Sequence, residues 1–344
     1  MEETINLALS IIVPVYNVED YIRLCIESIF RQGLDEDSFE VIIVNDGTQD
    51  HSMEVIQDII DQHKNIIVIN QENLGLSLAR NNGISKAKGQ YILMLDSDDL
   101  LIDNSLKPLL EKAIESQVDL VVADFIRMTN EEIINLQAIP QKDFCIQKKT
   151  GEQLFLEDLN PNECYVWHTL YNRIFLIEAN LKFFPKIEFE DIPFTHECYL
   201  KAKQCLRIFW NFYIYRQRSN SITHSFNKEN AIKYCIAISR TMDLTHSIFL
   251  NPAIEHKLRE DMWKSYSSLI RLVCQSIKKN KDRIEIMDCI RNNCKDFSFH
   301  NGKKQIIISF LSQNAPHLFI RLRYFYKIII EDRVLPFYYH HLKG

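Results

Sequence analysis

The first 125 residues alternate short apolar segments with amphipathic ones, and this alternation restricts the folds open to the chain. Segments rich in β-branched residues predict five strands, which are Leu9 to Pro14, Glu40 to Asn45, Ile66 to Asn70, Tyr91 to Leu95 and Leu120 to Ala123. Amphipathic stretches near residues 19–31, 50–63, 75–87 and 104–116 predict the helices between them. Strands and helices in alternation predict an α/β fold, with a Rossmann-like, mostly parallel sheet and helices on both faces.

Polar residues follow each of the first four predicted strands. The carboxyl ends of parallel strands lie at one edge of a sheet, and ligands bind there in open α/β folds. The sequence therefore predicts one ligand-binding crevice, bordered by Tyr16 and Asn17, Asp46 and Gly47, Asn73 and Gly75, and Asp96 and Asp98.

The fourth of these strands ends in an acidic cluster, Asp96-Ser97-Asp98-Asp99. Residues two apart in an extended chain point the same way, so Asp96 and Asp98 can present oxygen atoms to one point. Hard oxygen ligands at this spacing suit Mg²⁺ or Mn²⁺ and not zinc. The alternative is a solvated turn in which Asp99 or Asp103 caps the following helix.

The alternation ends near residue 125. Loops, short helices and a predicted strand at Ile208 to Arg216 follow up to about residue 225, and from about residue 227 the periodicity is helical almost throughout. We predict two domains, one at residues 1–225 and an α-helical C-terminal region at residues 226–344.

Composition narrows the class of protein. A length of 344 residues suggests about two domains. The nine cysteines are scattered, without a Cys-x-x-Cys pair, and predict reduced thiols, not a disulfide framework or a zinc site. The acidic N-terminus is not a secretory signal, and no uncharged apolar run reaches the roughly 18 residues of a membrane-spanning helix. We expect a cytoplasmic protein.

Charge is distributed unevenly along the chain. Residues 251–344 contain 17 Lys plus Arg against 9 Asp plus Glu, whereas the rest of the chain is acidic. The segment from His317 to Gly344 mixes aromatic and aliphatic residues with basic ones, among them Arg321, Arg323, Lys327 and Arg333. This pattern is typical of a peripheral helix on an anionic membrane surface, at the inner face of the cell membrane. A helix packed on its own domain or on a second subunit of a homo-oligomer is the alternative.

Several sequence blocks together resemble the family 2 glycosyltransferases, which are nucleotide-sugar-dependent enzymes of the GT-A type. The blocks are SIIVPVYNVEDYIRLCIESI (10–29), EVIIVNDGTQD (40–50), QENLGLSLARNNGISKAKGQYILMLDSDD (71–99), VWHTLYNRIF (166–175), FEDIPF (189–194) and YRQRSNSITHS (215–225). The resemblance implies a GT-A domain at residues 1–225. Within it, residues 1–125 would form the nucleotide-binding half and residues 126–225 the acceptor and catalytic-base half.

The resemblance also implies roles for individual residues. The nucleotide-binding residues would be Pro14, Tyr16, Asn17, Glu19, Asp46, Asn73, Gly75, Arg80, Asp96 and Ser97. Mn²⁺ or Mg²⁺ would be the cofactor, with Asp98, Asp96 and His224 as its ligands. The general base would be Asp191, with Glu190 orienting it or contacting the acceptor. The donor or acceptor pocket would be lined by Trp167, His168, Arg216 and Arg218.

Most of these residues have a structural alternative. Asp46 lies in Asn-Asp-Gly, which is a favourable turn sequence, and Arg80 can instead form a structural ion pair with the acidic cluster. Glu190 and Asp191 can simply open a helix, where acidic residues favour the positive end. Aromatic residues at the spacing of Trp167 are often part of the core.

The predicted activity is metal-dependent transfer of a sugar, of the hexosyltransferase type, with inversion of stereochemistry. The donor would be a nucleotide diphosphate sugar, UDP-linked by expectation, and the acceptor a glycan or lipid-linked oligosaccharide in cell-surface polysaccharide biosynthesis. No nucleic acid partner is expected. A sugar nucleotidyltransferase would need a glycine- and lysine-rich loop after the first strand, and VPVYNVED has neither residue. A non-catalytic nucleotide-sugar or glycan-binding module is the alternative that stays open.

Overall fold

A computed structural model describes residues 7–136, 139, 143–161, 163–218 and 226–293. The chain divides into two compact units. The first contains the described residues up to 186 and residues 190–218, and the second contains residues 187–189 and 226–293. The domain boundary at residue 225 and the roles assigned to the two halves of the first domain stay predictions.

The first unit is built on one mixed sheet with flanking helices. Its strands are β1 (Leu9–Val15), β2 (Phe39–Asn45), β3 (Ile66–Asn70), β4 (Tyr91–Met94), β5 (Leu100–Leu101), β6 (Leu120–Thr129), β7 (Cys145–Lys149), β8 (Thr169–Asn172) and β9 (Cys205–Gln217). Its helices are α1 (Ile22–Ile29), α2 (Ser52–Val55), α3 (Gln57–Gln62), α4 (Leu76–Lys86), α5 (Leu106–Ser116), α6 (Asn130–Ile134), α7 (Gly151–Glu157), α8 (Arg173–Glu178) and α9 (Asp191–Lys201). The predicted α/β fold is confirmed, and the helix predicted at 50–63 is present as two short helices.

The strand order is β3-β2-β1-β4-β8-β6-β9-β5, with β7 paired to β9. The first four strands in this order are parallel, as predicted for the N-terminal half. Strand β8 is inserted between β4 and β6 and is antiparallel to both. This insertion makes the whole sheet mixed, and it brings residues near 170 next to the strand that ends in the acidic cluster.

Alternate residues of β1 face helices on opposite sides of the sheet. Ile11 and Val13 are fully buried in the core that α1 and α5 complete. Ile12 faces α4, and a Cβ atom on Gly83 would lie only 2.4 Å from its Cγ2. Complete burial of such a side chain stabilises the fold by roughly 1.5–3 kcal/mol. The period-2 pattern of the strand therefore explains why helices cover both faces.

A buried hydrogen-bond network joins the amino ends of the parallel strands. The Ser10 hydroxyl donates to Glu40 Oε1 at 2.6 Å, and the Gly89 N–H donates to Ser10 Oγ at 2.8 Å. The Lys88 N–H also donates to Glu40 Oε1, at 2.6 Å. These bonds satisfy a carboxylate that would be costly to bury alone. They also fix the start of β4 against β1, and so set the position of the acidic cluster at its other end.

The described part of the second unit is helical, which confirms the predicted C-terminal helical region over residues 226–293. Its helices are α10 (Lys228–Ser247), α11 (Pro252–Ser276) and α12 (Asn280–Asn293). Asn227 caps α10, and Asn251 caps α11 immediately before Pro252. Among the described residues, no helix is both long and apolar enough to cross a bilayer. The segment from His317 to Gly344 lies outside the described residues, so its membrane or subunit contact stays a prediction.

Replacement of Gly89 by alanine should destabilise the protein. A Cβ atom there would lie 2.4 Å from the backbone carbon of Leu9 and 2.4 Å from the backbone nitrogen of Ser10. Backbone atoms of a central strand cannot move aside easily, so we expect a loss of about 1–3 kcal/mol in the free energy of unfolding. Urea denaturation measures it. Lys86→Ala, at an exposed position of α4, is the control and should change stability by no more than about 0.5 kcal/mol. Equal stability of the two variants would contradict this packing argument.

Candidate active site

The loops after β1 and β2 are tied to each other by polar side chains. The Asn17 N–H donates to Thr48 Oγ1 at 2.8 Å, and the His51 N–H donates to Glu19 Oε2 at 2.8 Å. The Glu19 N–H donates to Asp50 Oδ2 at 2.9 Å, and such bonds lower the Asp50 pKa to about 2 although burial opposes this. Asn17 and Glu19 therefore join two loops of the crevice, and their contact with a nucleotide stays a prediction.

Pro14 and Tyr16, two further predicted residues, lie at or directly after the end of β1. Pro14 lies within the strand, in register with Val44 of β2, so it shapes the strand end. Tyr16 comes directly after the strand, and 40% of its surface is exposed. Its ring is available to a ligand in the crevice, whereas Pro14 is buried within the strand.

The Asp46 carboxylate is buried and organises the loop that leads into α4. It accepts hydrogen bonds from Gln71 Nε2 at 2.7 Å, from the Leu74 N–H at 2.8 Å and from the Gly75 N–H at 2.9 Å. Gly75 has a positive φ of 87° at the start of α4, which glycine adopts without strain. Asn73 in the same loop is exposed. Asp46 is therefore more than a turn residue, because it fixes the backbone of a second loop.

Arg80 is the central cation of the site. Its side chain is 3% exposed, with Nη2 2.7 Å from Asp96 Oδ1 and Nη1 2.6 Å from Glu190 Oε1. The guanidinium carbon also lies 5.2 Å from the centre of the Phe183 ring. Burial alone would lower the Arg80 pKa, but the two carboxylates raise it above its ordinary value. One buried guanidinium thus brings the acidic cluster and the Glu190-Asp191 pair together.

The three carboxylates of the acidic cluster have different partners. Asp98 forms an ion pair with Arg218. Asp99 is buried and accepts from the Tyr213 hydroxyl at 2.8 Å and from the Arg216 N–H at 2.8 Å. Asp99 therefore anchors β9 in a supporting role, and the helix-capping alternative does not apply to it. Ser97, which lies between Asp96 and Asp98 in the sequence, is buried, as expected for a residue in a tightly held turn.

The two arginines predicted to line the pocket differ in burial. Arg216 is buried and donates from Nε to the backbone oxygen of Asp98 at 2.6 Å and from Nη1 to Asn130 Oδ1 at 2.7 Å. Arg218 is more exposed and pairs with the Asp98 side chain. Both guanidinium carbons lie 5.1 Å from the centre of the Tyr21 ring. Arg216 thus supports the backbone of the acidic cluster, and Arg218 is the arginine that a ligand can reach.

Asp191 is the first residue of α9, and Glu190 occupies the preceding cap position without a side-chain capping bond. The Glu190 carboxylate instead binds Arg80, so the pair does more than open a helix. Burial raises the pKa of Glu190. Burial and the adjacent negative charge of Glu190 raise the pKa of Asp191 to about 8. Asp191 is consequently a stronger base than an ordinary aspartate.

The local charges bear on the predicted metal. Five carboxylates lie around three guanidinium groups here, which leaves two negative charges in excess when all are ionised; the groups are Asp96, Asp98, Asp99, Glu190 and Asp191 with Arg80, Arg216 and Arg218. Burial together with the charge of Asp96 raises the Asp98 pKa, although Arg218 opposes this. Within the described residues, no group of three His, Cys, Asp or Glu side chains forms a metal cage. Mg²⁺ and its analogues commonly use one or two carboxylates plus substrate phosphates, so this donor set fits them.

Trp167, His168 and His224 are the remaining predicted site residues. Trp167 is 3% exposed and lies in the core between two tyrosine rings, so its predicted place in the pocket lining is corrected. His168 packs on Phe125, and its ring nitrogens have no hydrogen-bond partner among the described residues. Burial lowers its pKa to about 3, which keeps the ring uncharged near neutral pH. His224 lies outside the described residues, so its role as a metal ligand stays a prediction.

Sequence reasoning missed several residues that hold the site together. Tyr213 binds Asp99, Phe183 packs against Arg80, and Tyr21 lies against both pocket arginines. None of them belongs to a polar motif. The one available signal was the position of Tyr213 in the predicted strand, three residues before Arg216, and it is too weak to assign a partner.

Comparison with known proteins identifies the family. The model of the family described as Glycosyl transferase family 2 matches residues 10–170. The uncharacterized glycosyltransferase EpsJ of Bacillus subtilis (strain 168) is 38% identical over 216 residues, which are 62% of this chain and 62% of EpsJ. Glycosyltransferase GlyG of Streptococcus pneumoniae is 30% identical over 226 residues, which are 62% of this chain and 72% of GlyG. This chain thus spans less than two thirds of EpsJ and more than two thirds of GlyG.

A solved structure supports the same assignment at the level of the fold. The crystal structure of residues 1–349 of S. aureus TarS in complex with UDP-GlcNAc has a TM-score of 0.68, with 20% identity over 92% of this chain and 88% of that chain. At this identity the likeness shows the fold alone. The family model, the relatives and the fold lead to one conclusion: the chain belongs to glycosyltransferase family 2 and has the GT-A fold.

Proposed function

We propose that the protein is an inverting, metal-dependent hexosyltransferase that transfers a sugar from a UDP-sugar to a glycan or lipid-linked oligosaccharide during cell-surface polysaccharide biosynthesis. The observation that carries this proposal is the pair of contacts made by Arg80. They place the acidic cluster, suited to a leaving diphosphate, beside the Glu190-Asp191 pair, suited to an incoming hydroxyl. TarS, which has the same fold, binds UDP-GlcNAc, and this supports UDP as the nucleotide.

The nucleotide would bind at the ends of β1 and β2. The exposed ring of Tyr16 offers a π face to the base. The Asp46 carboxylate has about four acceptor positions, and the residues that the structure describes use three of them. One position is left for the imide N–H of uracil. Asn73 and Gly75 border the same place, and the hydrogen bonds of Asp46 hold their loop there.

The leaving group would be stabilised at the acidic cluster. Asp98, together with Asp96, would hold Mn²⁺ or Mg²⁺ against the diphosphate, and the bound ion neutralises the negative charge that develops there. Arg218 adds a fixed positive charge at the same place. Arg80 holds the Asp96 carboxylate, and Arg216 holds the backbone of Asp98. Both aspartates would therefore keep their positions when the diphosphate leaves.

Asp191 would take the proton of the acceptor hydroxyl as the oxygen attacks the anomeric carbon. A base is most effective when its pKa lies near the working pH, and the raised pKa of Asp191 meets that condition. Glu190 contributes its negative charge and is fixed by Arg80. Attack from the side opposite the diphosphate produces inversion, because no covalent sugar-enzyme intermediate is involved.

The first prediction concerns the metal and the donor. Purified protein, incubated with UDP-, GDP- and dTDP-sugars, should release the nucleoside diphosphate from a UDP-sugar only when Mn²⁺ or Mg²⁺ is present. Asp98→Ala should lower the rate at least 100-fold because it removes the main metal ligand. Asp103→Ala is the matched control, since Asp103 forms an exposed ion pair with Arg31 away from the crevice contacts.

Two results would contradict this assignment. Release at the normal rate without a divalent ion would show that Asp98 does not act as a metal ligand. Binding of UDP-sugars without any release would favour the non-catalytic binding module instead.

The second prediction concerns Asp191 and pH. Asp191→Asn should keep donor binding and lose transfer by about 10²–10⁴-fold, the usual contribution of a general base. Only the deprotonated carboxylate accepts a proton, so kcat/KM for transfer should rise with pH above the ordinary carboxyl range. Glu190→Gln should shift this rise to lower pH, because the charge of Glu190 raises the Asp191 pKa. Transfer by Asp191→Asn at the wild-type rate would exclude it as the base.

The third prediction concerns Arg80. Arg80→Met leaves Asp96 and Glu190 without their buried partner, so the free energy of unfolding should fall by about 3–5 kcal/mol. Arg80→Lys keeps the charge but cannot reach both carboxylates with a planar fork, so it should fold and show a lower kcat. The control Arg31→Met breaks an exposed ion pair and should cost at most about 1 kcal/mol. A wild-type kcat for Arg80→Lys would show that the shared guanidinium is not required.

A further inference from the structure

Three aromatic rings form a continuous stack in the first unit. Trp167 lies between Tyr165 and Tyr213, with ring centroids 4.7 Å and 4.2 Å away and planes inclined by 12° and 9°. Trp167 and Tyr213 are buried, whereas Tyr165 is only partly buried. The stack therefore leads from the interior to a tyrosine ring that solvent can reach.

The buried end of the stack is fixed to the acidic cluster. The Tyr213 hydroxyl donates to Asp99 Oδ2 at 2.8 Å and accepts from the Asp96 N–H at 3.3 Å. Tyr213 thus cannot turn without breaking bonds to the motif that we assign to the leaving group. Because each ring packs face to face on the next, this anchor also fixes the orientation of Tyr165.

The partly exposed end lies close to the proposed base. Thr195 Oγ1 donates to the backbone oxygen of Cys164 at 2.9 Å, and Tyr165 is the next residue. Thr195 is four residues, or about one helical turn of 5.4 Å, beyond Asp191 on α9. The Asp191 charge also contributes, after burial, to a raised pKa of Tyr165. Tyr165 therefore lies near α9, the helix that begins with Asp191.

Polar side chains surround the exposed part of Tyr165. The Arg127 side chain lies near Tyr165 and forms an ion pair with Glu163. The side chains of Arg127 and Glu163 are 43% and 33% exposed. Among the described residues, Trp167 is the ring that stacks parallel on Tyr165, and the Phe125 and Tyr215 rings meet it at 86° and 53°. A partly exposed aromatic ring thus lies beside one charged donor and one charged acceptor.

We propose that Tyr165, with Arg127 and Glu163 at its rim, is the acceptor-binding platform, and that it takes a pyranose ring of the acceptor. This inference rests on the proposed function. A pyranose presents C–H groups on its face, which pack on the negative face of an aromatic ring, and hydroxyls at its edge, which Arg127 and Glu163 can bind. A sugar stacked there would lie near α9, which begins with Asp191. Trp167 supports the platform from behind, which explains its complete burial.

Charge argues against the nucleotide as the ligand of this platform. Glu163 already compensates the Arg127 charge, and Asp191 adds negative charge when it is ionised, so the platform offers a diphosphate no net positive charge. Tyr16, at the end of β1, is the exposed ring available to the base. A neutral sugar is the ligand that fits both the aromatic ring and the acidic surroundings.

Saturation-transfer NMR on the full chain with UDP and Mg²⁺ tests the platform. The probes are methyl β-D-glucopyranoside, methyl β-D-galactopyranoside and N-acetylglucosamine. We expect at least one of them to receive saturation from the wild-type protein and from Tyr165→Phe, which keeps the ring. Tyr165→Leu keeps an apolar side chain without a π face, and it should weaken that sugar at least tenfold while the UDP affinity changes less than twofold. Phe249→Leu, at a fully exposed position, is the control.

Three outcomes would overturn the inference. They are the absence of binding of every probe to the wild-type protein, equal sugar binding by Tyr165→Leu, and a parallel loss of UDP and sugar affinity in that variant. The last would show that the ring supports the fold in general. Failure of the proposed function would give a different result. It would appear as the absence of nucleoside diphosphate release in the assay that contains no acceptor.

Discussion

The site depends on the compensation of one buried charge. A guanidinium taken out of water is stable only when carboxylates surround it, and Arg80 obtains one from Asp96 and one from Glu190. These partners are 16 and 110 residues away along the chain. The end of β4 and the start of α9 are thereby held at one place. Asp98 is two residues from Asp96 and Asp191 is next to Glu190, so both take their positions from this constraint.

Burial separates the residues that build the site from those that face it. Asp99 and Arg216 are buried and bind Tyr213, Asn130 and backbone atoms, so they support the acidic cluster. Asp98 and Arg218 are less buried and pair with each other at the crevice. Residue types alone do not distinguish these two groups, since both consist of an aspartate and an arginine.

The sequence was sufficient to predict those strands whose positions are determined by a local pattern of residues. Strands β1 to β4 were predicted because each is a short β-branched run that ends in a polar turn. Strand β8 was missed because its place between β4 and β6 depends on partners that are distant in the sequence. The same limit applies to the aromatic residues. Tyr165 and Trp167 are two residues apart in sequence, and only the packing of β6 and β9 leaves one partly exposed and buries the other.

A crystal structure with UDP and Mn²⁺ would test the division of labour between Asp98 and Asp191. We expect an anomalous peak about 2.1 Å from an Asp98 carboxylate oxygen and in contact with the diphosphate. We also expect that the Asp191 carboxylate faces the same cavity without binding the ion. An ion bound by Asp191, or one that leaves Asp98 paired with Arg218 and lies elsewhere, would contradict this division of labour.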